Sequence, residues 1–197
     1  MTRLLLVGDS HTKDMQPIFI SCVPKNHTIT TYPVQLGQGV NAIASKYRDN
    51  LQEIFHYDPN VAIIHVGHNS MVFHHHYNQN PQHPRIVGND TLNLASEVLR
   101  NFPQCRTFIS SVFPRTPTDN SLLSPQDVSS YNQKVKRHAQ YLCSITGNTS
   151  LTVLKNMCLW TQVSRAIENP DHFDIDGLHL TKAGKKAIIK EWLPLIL

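Results

Sequence analysis

The feature that most constrains the fold is a set of short apolar runs that alternate with stretches of helical periodicity. The run Val61–Val66 is almost continuously apolar, which is typical of a parallel strand covered on both faces. Strand and helix patterns in alternation predict an α/β protein built around a five-stranded parallel sheet. The predicted strands are Arg3–Val7, Thr28–Tyr32, Val61–Val66, Thr107–Val112 and Leu151–Leu154.

Between the strands, apolar residues recur every three to four positions, as they do on the buried face of a helix. Two polar stretches that contain proline, His74–Gly88 and Pro114–Ser124, are predicted to be long surface loops. The predicted helices are Val40–Phe55, Thr91–Phe102, Pro125–Leu142 and Thr181–Leu193.

Length and composition favour a single globular domain over residues 1–197, since 40% of the residues are hydrophobic and 16% are charged. A net charge of +4 is too small for a dedicated nucleic-acid binder. No apolar run resembles a signal peptide or a membrane span, so we expect a cytoplasmic location. The first predicted strand starts at Arg3 without a lead-in, as expected of a domain excised from a longer protein.

Metal binding is not predicted from the spacing of the cysteines or the histidines. The four cysteines show no CxxC pattern and are expected to be reduced thiols. His74–His76 lie near His65, His68 and His83 in the sequence, but consecutive residues seldom point at one ion. No acidic or cysteine residue has ligand spacing to them. We therefore predict neither a metal nor a cofactor.

Polar clusters follow the predicted strands. Because ligands bind beyond the carboxyl ends of strands in an open α/β sheet, these clusters are expected to meet at one edge. They are Gly8–Thr12 after the first strand, Leu36–Gly39 after the second, Gly67–Ser70 after the third, and Asp174–His179 ahead of the last helix.

The residue types in these clusters complement one another chemically. Ser10 needs a base to become a nucleophile, His179 can be that base, and Asp176 can orient its ring. An oxyanion needs donors, which the backbone N–H groups of Ser10 and Gly39 and the side-chain amide of Asn69 can supply. The sequence thus predicts a nucleophilic hydrolase.

Gly8-Asp9-Ser10, Gly39, Gly67-His68-Asn69 and Asp176-Gly177-Leu178-His179 resemble, in this order, the four blocks of the SGNH (GDSL) hydrolases. The resemblance implies a flavodoxin-like, three-layer α/β/α sandwich and ester hydrolysis. It implies the nucleophile at Ser10, the base at His179, its orienting acid at Asp176, and oxyanion donors at Ser10, Gly39 and Asn69. Gly37 remains an alternative to Gly39, and Asp174 competes with Asp176.

More finely, the chain resembles the esterase domain in the first-open-reading-frame protein of LINE-type retrotransposons, which is similar to platelet-activating-factor acetylhydrolases. This implies a short-chain acyl or lipid ester as substrate, and nucleic-acid contact through other domains of a full-length protein. The basic patch on the last helix is the candidate for contact with a membrane surface or with nucleic acid, and is otherwise a solvated face. Its residues are Lys182, Lys185, Lys186 and Lys190.

Two other functions fit parts of the sequence. One is a catalytically weak module that associates with lipid or nucleic acid. The other is a flavodoxin-like binder of phosphate or nucleotide, with the loop after the first strand as an anion nest. The second leaves Asp176 and His179 without a role. Oligomeric state is not predicted.

Overall fold

A parallel sheet forms the centre of the protein in our computed structural model, which describes residues 1–71, 81–112, 125–146, 151–154, 172–174 and 179–197. The strands are β1 (Thr2–Gly8), β2 (Ile29–Gln35), β3 (Val61–His65), β4 (Arg106–Ser110) and β5 (Leu151–Leu154). Their order in the sheet is β2-β1-β3-β4-β5, and every neighbouring pair is parallel.

Helices cover both faces of the sheet. The helices of the described residues are α1 (Met15–Cys22), α2 (Val40–Asp49), α3 (Leu51–Tyr57), α4 (His68–Met71), α5 (Pro84–Asn101), α6 (Pro125–Thr146) and α7 (Lys182–Ile196). Leu5 and Val7 of β1 belong to one buried cluster with α2, α5 and α6, whereas Leu4 and Leu6 belong to another with α1 and α7. This arrangement confirms the predicted three-layer α/β/α fold.

The predicted helix Val40–Phe55 is in fact two helices that meet at Asn50. Asn50 donates from both its backbone N–H and its side-chain amide to the carbonyl of Lys46, at 3.2 and 2.7 Å. An asparagine side chain that competes for a backbone carbonyl in this way interrupts a helix.

The predicted loop His74–Gly88 is wrong over its last residues, because α5 begins at Pro84 rather than at Thr91. His83 caps this helix by accepting the N–H of Arg85 at 3.2 Å, and proline is well suited to the first helical position. Residues 74–80 of that loop lie outside the described part of the chain, as does Pro114–Ser124. Within the described ranges, no helix has both the length and the apolar character needed to cross a membrane.

Candidate active site

Ser10 lies just beyond the carboxyl end of β1, in a short 3₁₀ turn that spans Ser10–Thr12. Asp9 caps this turn, since its Oδ1 accepts the N–H of His11 at 3.1 Å. Thr12 closes the turn by donating from Oγ1 to the carbonyl of Asp9 at 2.9 Å. A Cβ at Gly8 would lie 2.1 Å from Thr12 Cγ2, so this turn requires glycine before Asp9. Ser10 itself is half-buried.

The ends of three adjacent strands are tied together around this turn. Leu36, which follows β2, donates its N–H to the carbonyl of Gly8 at 3.2 Å. Asp9 donates its N–H to the carbonyl of His65, the last residue of β3, at 3.2 Å. Gln35 Nε2 donates to the carbonyl of Thr12 at 2.6 Å. The first three predicted clusters therefore share one edge of the sheet.

A hydrogen bond joins the second and third clusters. Ser70 Oγ accepts the backbone N–H of Val40 at 2.9 Å, and both residues are buried. Gly39 precedes Val40 as the N-cap of α2, and Asn69 precedes Ser70 in α4. The bond thus places the two predicted oxyanion donors of these clusters on adjoining turns.

The chain bends sharply at Gly67 before it reaches Asn69. Gly67 has a φ of 122°, a conformation that side chains rarely adopt. The Tyr131 ring lies beneath this bend, and its hydroxyl donates to the carbonyl of Val66 at 3.0 Å. Burial raises the pKa of Tyr131, which keeps the hydroxyl neutral and able to donate. Met71, which follows the bend, is buried in the core.

The structure separates the two glycines considered for the oxyanion site. Gly37 is exposed and lines a cavity that contains Ser10. Gly39 is buried and lines a smaller cavity of about 230 Å³ together with Ser70. Gly39 is linked to Asn69 through the hydrogen bond between their neighbours Val40 and Ser70. Gly37 instead shares a cavity with Ser10.

His179 is held in place by pairing with residues 172–174. Asp174 donates its N–H to the carbonyl of His179 at 2.8 Å, and Thr181 donates its N–H to the carbonyl of His172 at 3.1 Å. Thr181 also caps α7, with Oγ1 accepting the N–H of Gly184 at 3.2 Å. Asp176, the predicted orienting acid, lies outside the described residues.

Ser10 and His179 line the same cavity, which has a volume of about 580 Å³. Volumes of this size are usual for small-molecule sites. Leu36 and Leu180 supply apolar walls, and the remaining lining residues are Asp9, Lys13, Gln35, Gly37, Asp174 and Lys185.

One residue of the predicted basic patch borders this cavity. Lys185 donates from Nζ to the carbonyl of Lys13 at 2.7 Å. Partial burial lowers the pKa of Lys185. Lys182, Lys186 and Lys190 are exposed on α7, so the patch consists of a solvated face and one lysine at the cavity.

A cluster of buried histidines beneath Ser10 was missed by sequence reasoning. His11, His65 and His68 are each 0% exposed and surround Asp9, which is 1% exposed. The ring centroids of His11 and His68 are 4.4 Å apart, and those of His11 and His179 are 6.1 Å apart. His65 within an otherwise apolar strand was the available signal, because a histidine there must have buried polar neighbours.

No known protein-family model matches the sequence, and no curated protein matches it either. Among solved structures, the chain is similar to a Bacteroides fragilis protein provisionally assigned as an acylhydrolase, with a TM-score of 0.73 and 17% identity over 99% of this chain and 86% of that one. It is also similar to the lipase/acylhydrolase from Enterococcus faecalis, with a TM-score of 0.67 and 13% identity over 100% and 98%. A third similar structure is the M. smegmatis aryl esterase, with a TM-score of 0.67 and 14% identity over the whole of both chains. The chain therefore has the fold of these acylhydrolases and esterases.

Proposed function

We propose that the protein is a serine esterase of the SGNH type, with Ser10 as nucleophile and His179 as base. The observation that carries this proposal is that Ser10 and His179, far apart in sequence, line one cavity at the carboxyl edge of the sheet. The fold shared with an aryl esterase and with a lipase/acylhydrolase supports the same reaction class.

In the proposed reaction, His179 takes the hydroxyl proton of Ser10 while Oγ attacks the ester carbonyl. Collapse of the tetrahedral intermediate releases the alcohol, which receives the proton from His179, and leaves an acyl group on Ser10. Water, activated by His179, then releases the acid. Asp176 is proposed to orient the His179 ring and to stabilise its protonated form.

The oxyanion of each tetrahedral intermediate is proposed to accept hydrogen bonds from the N–H of Ser10, the N–H of Gly39 and the side-chain amide of Asn69. Such donors stabilise charge that develops only in the transition state. The hydrogen bonds that join the strand ends, and the bond between Ser70 and Val40, support this role. Donors that are already held in place need no reorganisation during the reaction.

We infer a short-chain acyl ester, acetyl included, as substrate. Leu36 and Leu180 supply apolar walls on which a small acyl group can pack, and Lys13, Gln35 and Lys185 place polar groups beside them. This agrees with the resemblance to retrotransposon esterase domains and acetylhydrolases. Lipid esters with a short acyl group are the natural substrates we propose, and Lys182, Lys186 and Lys190 are proposed to contact a membrane surface.

The test is a series of p-nitrophenyl esters, from acetate to long-chain acyl groups, hydrolysed by the wild type and by Ser10→Ala and His179→Gln. We expect wild-type activity to be greatest on short chains and both variants to lose it by about 10³-fold or more. Ser21→Ala and His27→Gln are matched controls, because both residues are exposed and away from the cavity. Wild-type turnover by Ser10→Ala would refute the nucleophile.

A second candidate function is a catalytically weak module that binds nucleic acid. A separate cavity of about 440 Å³ between α5 and α6 is lined by Arg85, Lys134 and Arg137, and no acidic side chain is among its lining residues. Arginine and lysine side chains grouped in this way attract the phosphates of nucleic acids. The test is binding of single-stranded RNA to the wild type and to a variant in which these three residues are alanine. Binding by the wild type alone, together with an absence of esterase activity, would favour this function.

A further inference from the structure

A buried group of metal-binding side chains lies beneath the candidate active site. One donor atom each from Asp9, His65 and His68 lies within 4.8 Å of the other two. We propose that these three residues form a structural zinc site, which departs from the prediction of no metal made from the sequence. The histidine-rich stretch His74–His76 is not part of it. The proposal does not depend on the esterase activity.

The spacing between Asp9 and His68 suits a shared metal ion better than a direct hydrogen bond. Asp9 Oδ2 and His68 Nδ1 are 3.6 Å apart, whereas a charged hydrogen bond between such atoms is about 2.7–2.9 Å long. Two ligand atoms bonded to one tetrahedral zinc at about 2.0–2.1 Å lie about 3.4 Å apart. The observed distance is therefore close to that between two ligands of one ion.

Among the described residues, the charged neighbour recorded for Asp9 Oδ2 is His68 Nδ1 at 3.6 Å, and that imidazole is positive only when it is protonated. Oδ1 accepts the N–H of His11, but Oδ2 has no hydrogen-bond partner among the described residues and is shielded from solvent. A buried carboxylate oxygen without compensation is costly. A divalent ion bound by Oδ2 and two imidazole nitrogens would neutralise it.

His65 has a hydrogen-bonding partner at one ring nitrogen, as histidines that bind a metal through the other nitrogen usually do. His65 Nδ1 lies 2.7 Å from Ser110 Oγ, and the Ser110 hydroxyl donates its own proton to the carbonyl of Ser111 at 3.4 Å. In the proposed site, Ser110 Oγ accepts a hydrogen bond from His65 Nδ1–H, which leaves Nε2 as the nitrogen that binds the metal. Hydrogen bonding at one ring nitrogen orients the other toward a metal.

The position of the three residues indicates what a bound zinc would do. Asp9 precedes Ser10, His68 precedes Asn69, and His65 ends β3. One ion would fix the proposed nucleophile and the proposed oxyanion amide to the same strand end. Structural zinc usually has four ligands, so a water molecule would complete the coordination left by these three residues. Because the three donors are buried, the ion would be closed to substrate and its role would be structural.

The experiment is zinc binding by the whole chain after chelator treatment, measured by competition with a chromophoric chelator and by elemental analysis after dialysis. We expect about one zinc per wild-type chain and a thermal midpoint that rises with zinc and falls again with EDTA. Ser110→Ala should weaken binding by about 10–100-fold while leaving the three donors in place. His68→Gln should weaken it further, because it removes a ligand.

The control is the triple variant in which His74, His75 and His76 become alanine, which we expect to bind zinc as the wild type does. Failure of the wild type to retain zinc would overturn the proposal in favour of a proton shared between Asp9 and His68. The proposal would also be overturned if the triple variant lost zinc binding while Ser110→Ala bound zinc as tightly as the wild type. If His68→Gln does not fold, the wild type, Ser110→Ala and the triple variant decide the question.

Discussion

Ser70 Oγ accepts the backbone N–H of Val40 at 2.9 Å, and this bond connects the turn after β3 to the first turn of α2. The bond is buried, and its two residues directly follow Asn69 and Gly39 in the chain. Two proposed oxyanion donors from separate parts of the sequence are thereby fixed relative to each other. We therefore predict that Ser70 positions these two proposed donors.

Replacement of Ser70 by alanine should reduce kcat for p-nitrophenyl acetate by about 10–100-fold with little change in KM, because the donors lose their alignment. The unpaired N–H of Val40 should also cost about 1–3 kcal/mol of unfolding free energy. Steady-state kinetics and urea denaturation measure the two effects. Ser21→Ala is the control, since its hydroxyl bonds only within α1. An unchanged kcat in a folded Ser70→Ala protein would contradict the positioning role.

Asn69→Ala should lower kcat by about 10²–10³-fold, the usual effect of removing one oxyanion donor. KM should change little, because the donor acts mainly in the transition state. The matched control is Asn41→Ala, whose exposed amide bonds to Asp90. Equal kinetics of the two variants, with both folded by circular dichroism, would exclude Asn69 from the oxyanion site.

Gly184→Ala should destabilise the protein and impair hydrolysis. A Cβ at Gly184 would lie 2.2 Å from the carbonyl oxygen of His172, in the segment that pairs with His179. We expect a cost of about 1–3 kcal/mol, as for other overpacked sites, together with reduced kcat from displacement of His179. Thermal unfolding and ester hydrolysis measure these effects.

Gly37→Ala is the stability control for this substitution, because no atom lies within 4 Å of a Cβ built there. Its unfolding free energy should stay within about 0.5 kcal/mol of the wild type. Equal unfolding free energies of the two glycine variants would contradict the predicted destabilisation. They would show that α7 can move away from residue 172 without loss of unfolding free energy.

Cys105 should resist alkylation in the native protein at pH 8, whereas half-buried Cys22 should react faster. Burial raises the pKa of the Cys105 thiol to about 12, so the reactive thiolate is scarce at that pH. Peptide mapping after timed exposure to iodoacetamide, with a denatured sample as reference, distinguishes the two residues. Rapid labelling of Cys105 at pH 8 would contradict its place in the core.

Most of the sheet could be predicted from the sequence because its central strands are short apolar runs, and Leu151–Leu154 even has the predicted bounds. The strand β2 is more polar and extends to Gln35, beyond the predicted end at Tyr32. The helix α1 was not predicted, although Met15, Ile18 and Phe19 have the spacing of a buried helix face. It is only eight residues long, and Pro17 within it is as typical of a turn as of a helix start. The start of α5 was also missed, because His83 and Pro84 are as typical of loops as of helix caps.

Some features of the candidate site could likewise be predicted from the sequence, and others could not. Residues at strand ends could be predicted to converge, since topology alone brings carboxyl ends of parallel strands together. The bond between Ser70 and Val40 and the grouping of His65 and His68 around Asp9 depend on side-chain directions, which no sequence pattern records. The role of Asp176 remains a prediction, because it lies outside the described residues.

The central claim, that Ser10 is an activated nucleophile, is tested most directly by treatment of the folded protein with a fluorophosphonate, followed by intact-mass and peptide mass spectrometry. We predict one covalent adduct per chain, located on Ser10, absent from Ser10→Ala and strongly slowed in His179→Gln. A folded wild-type protein that gains no adduct, or one whose adduct lies on another residue, would contradict the claim.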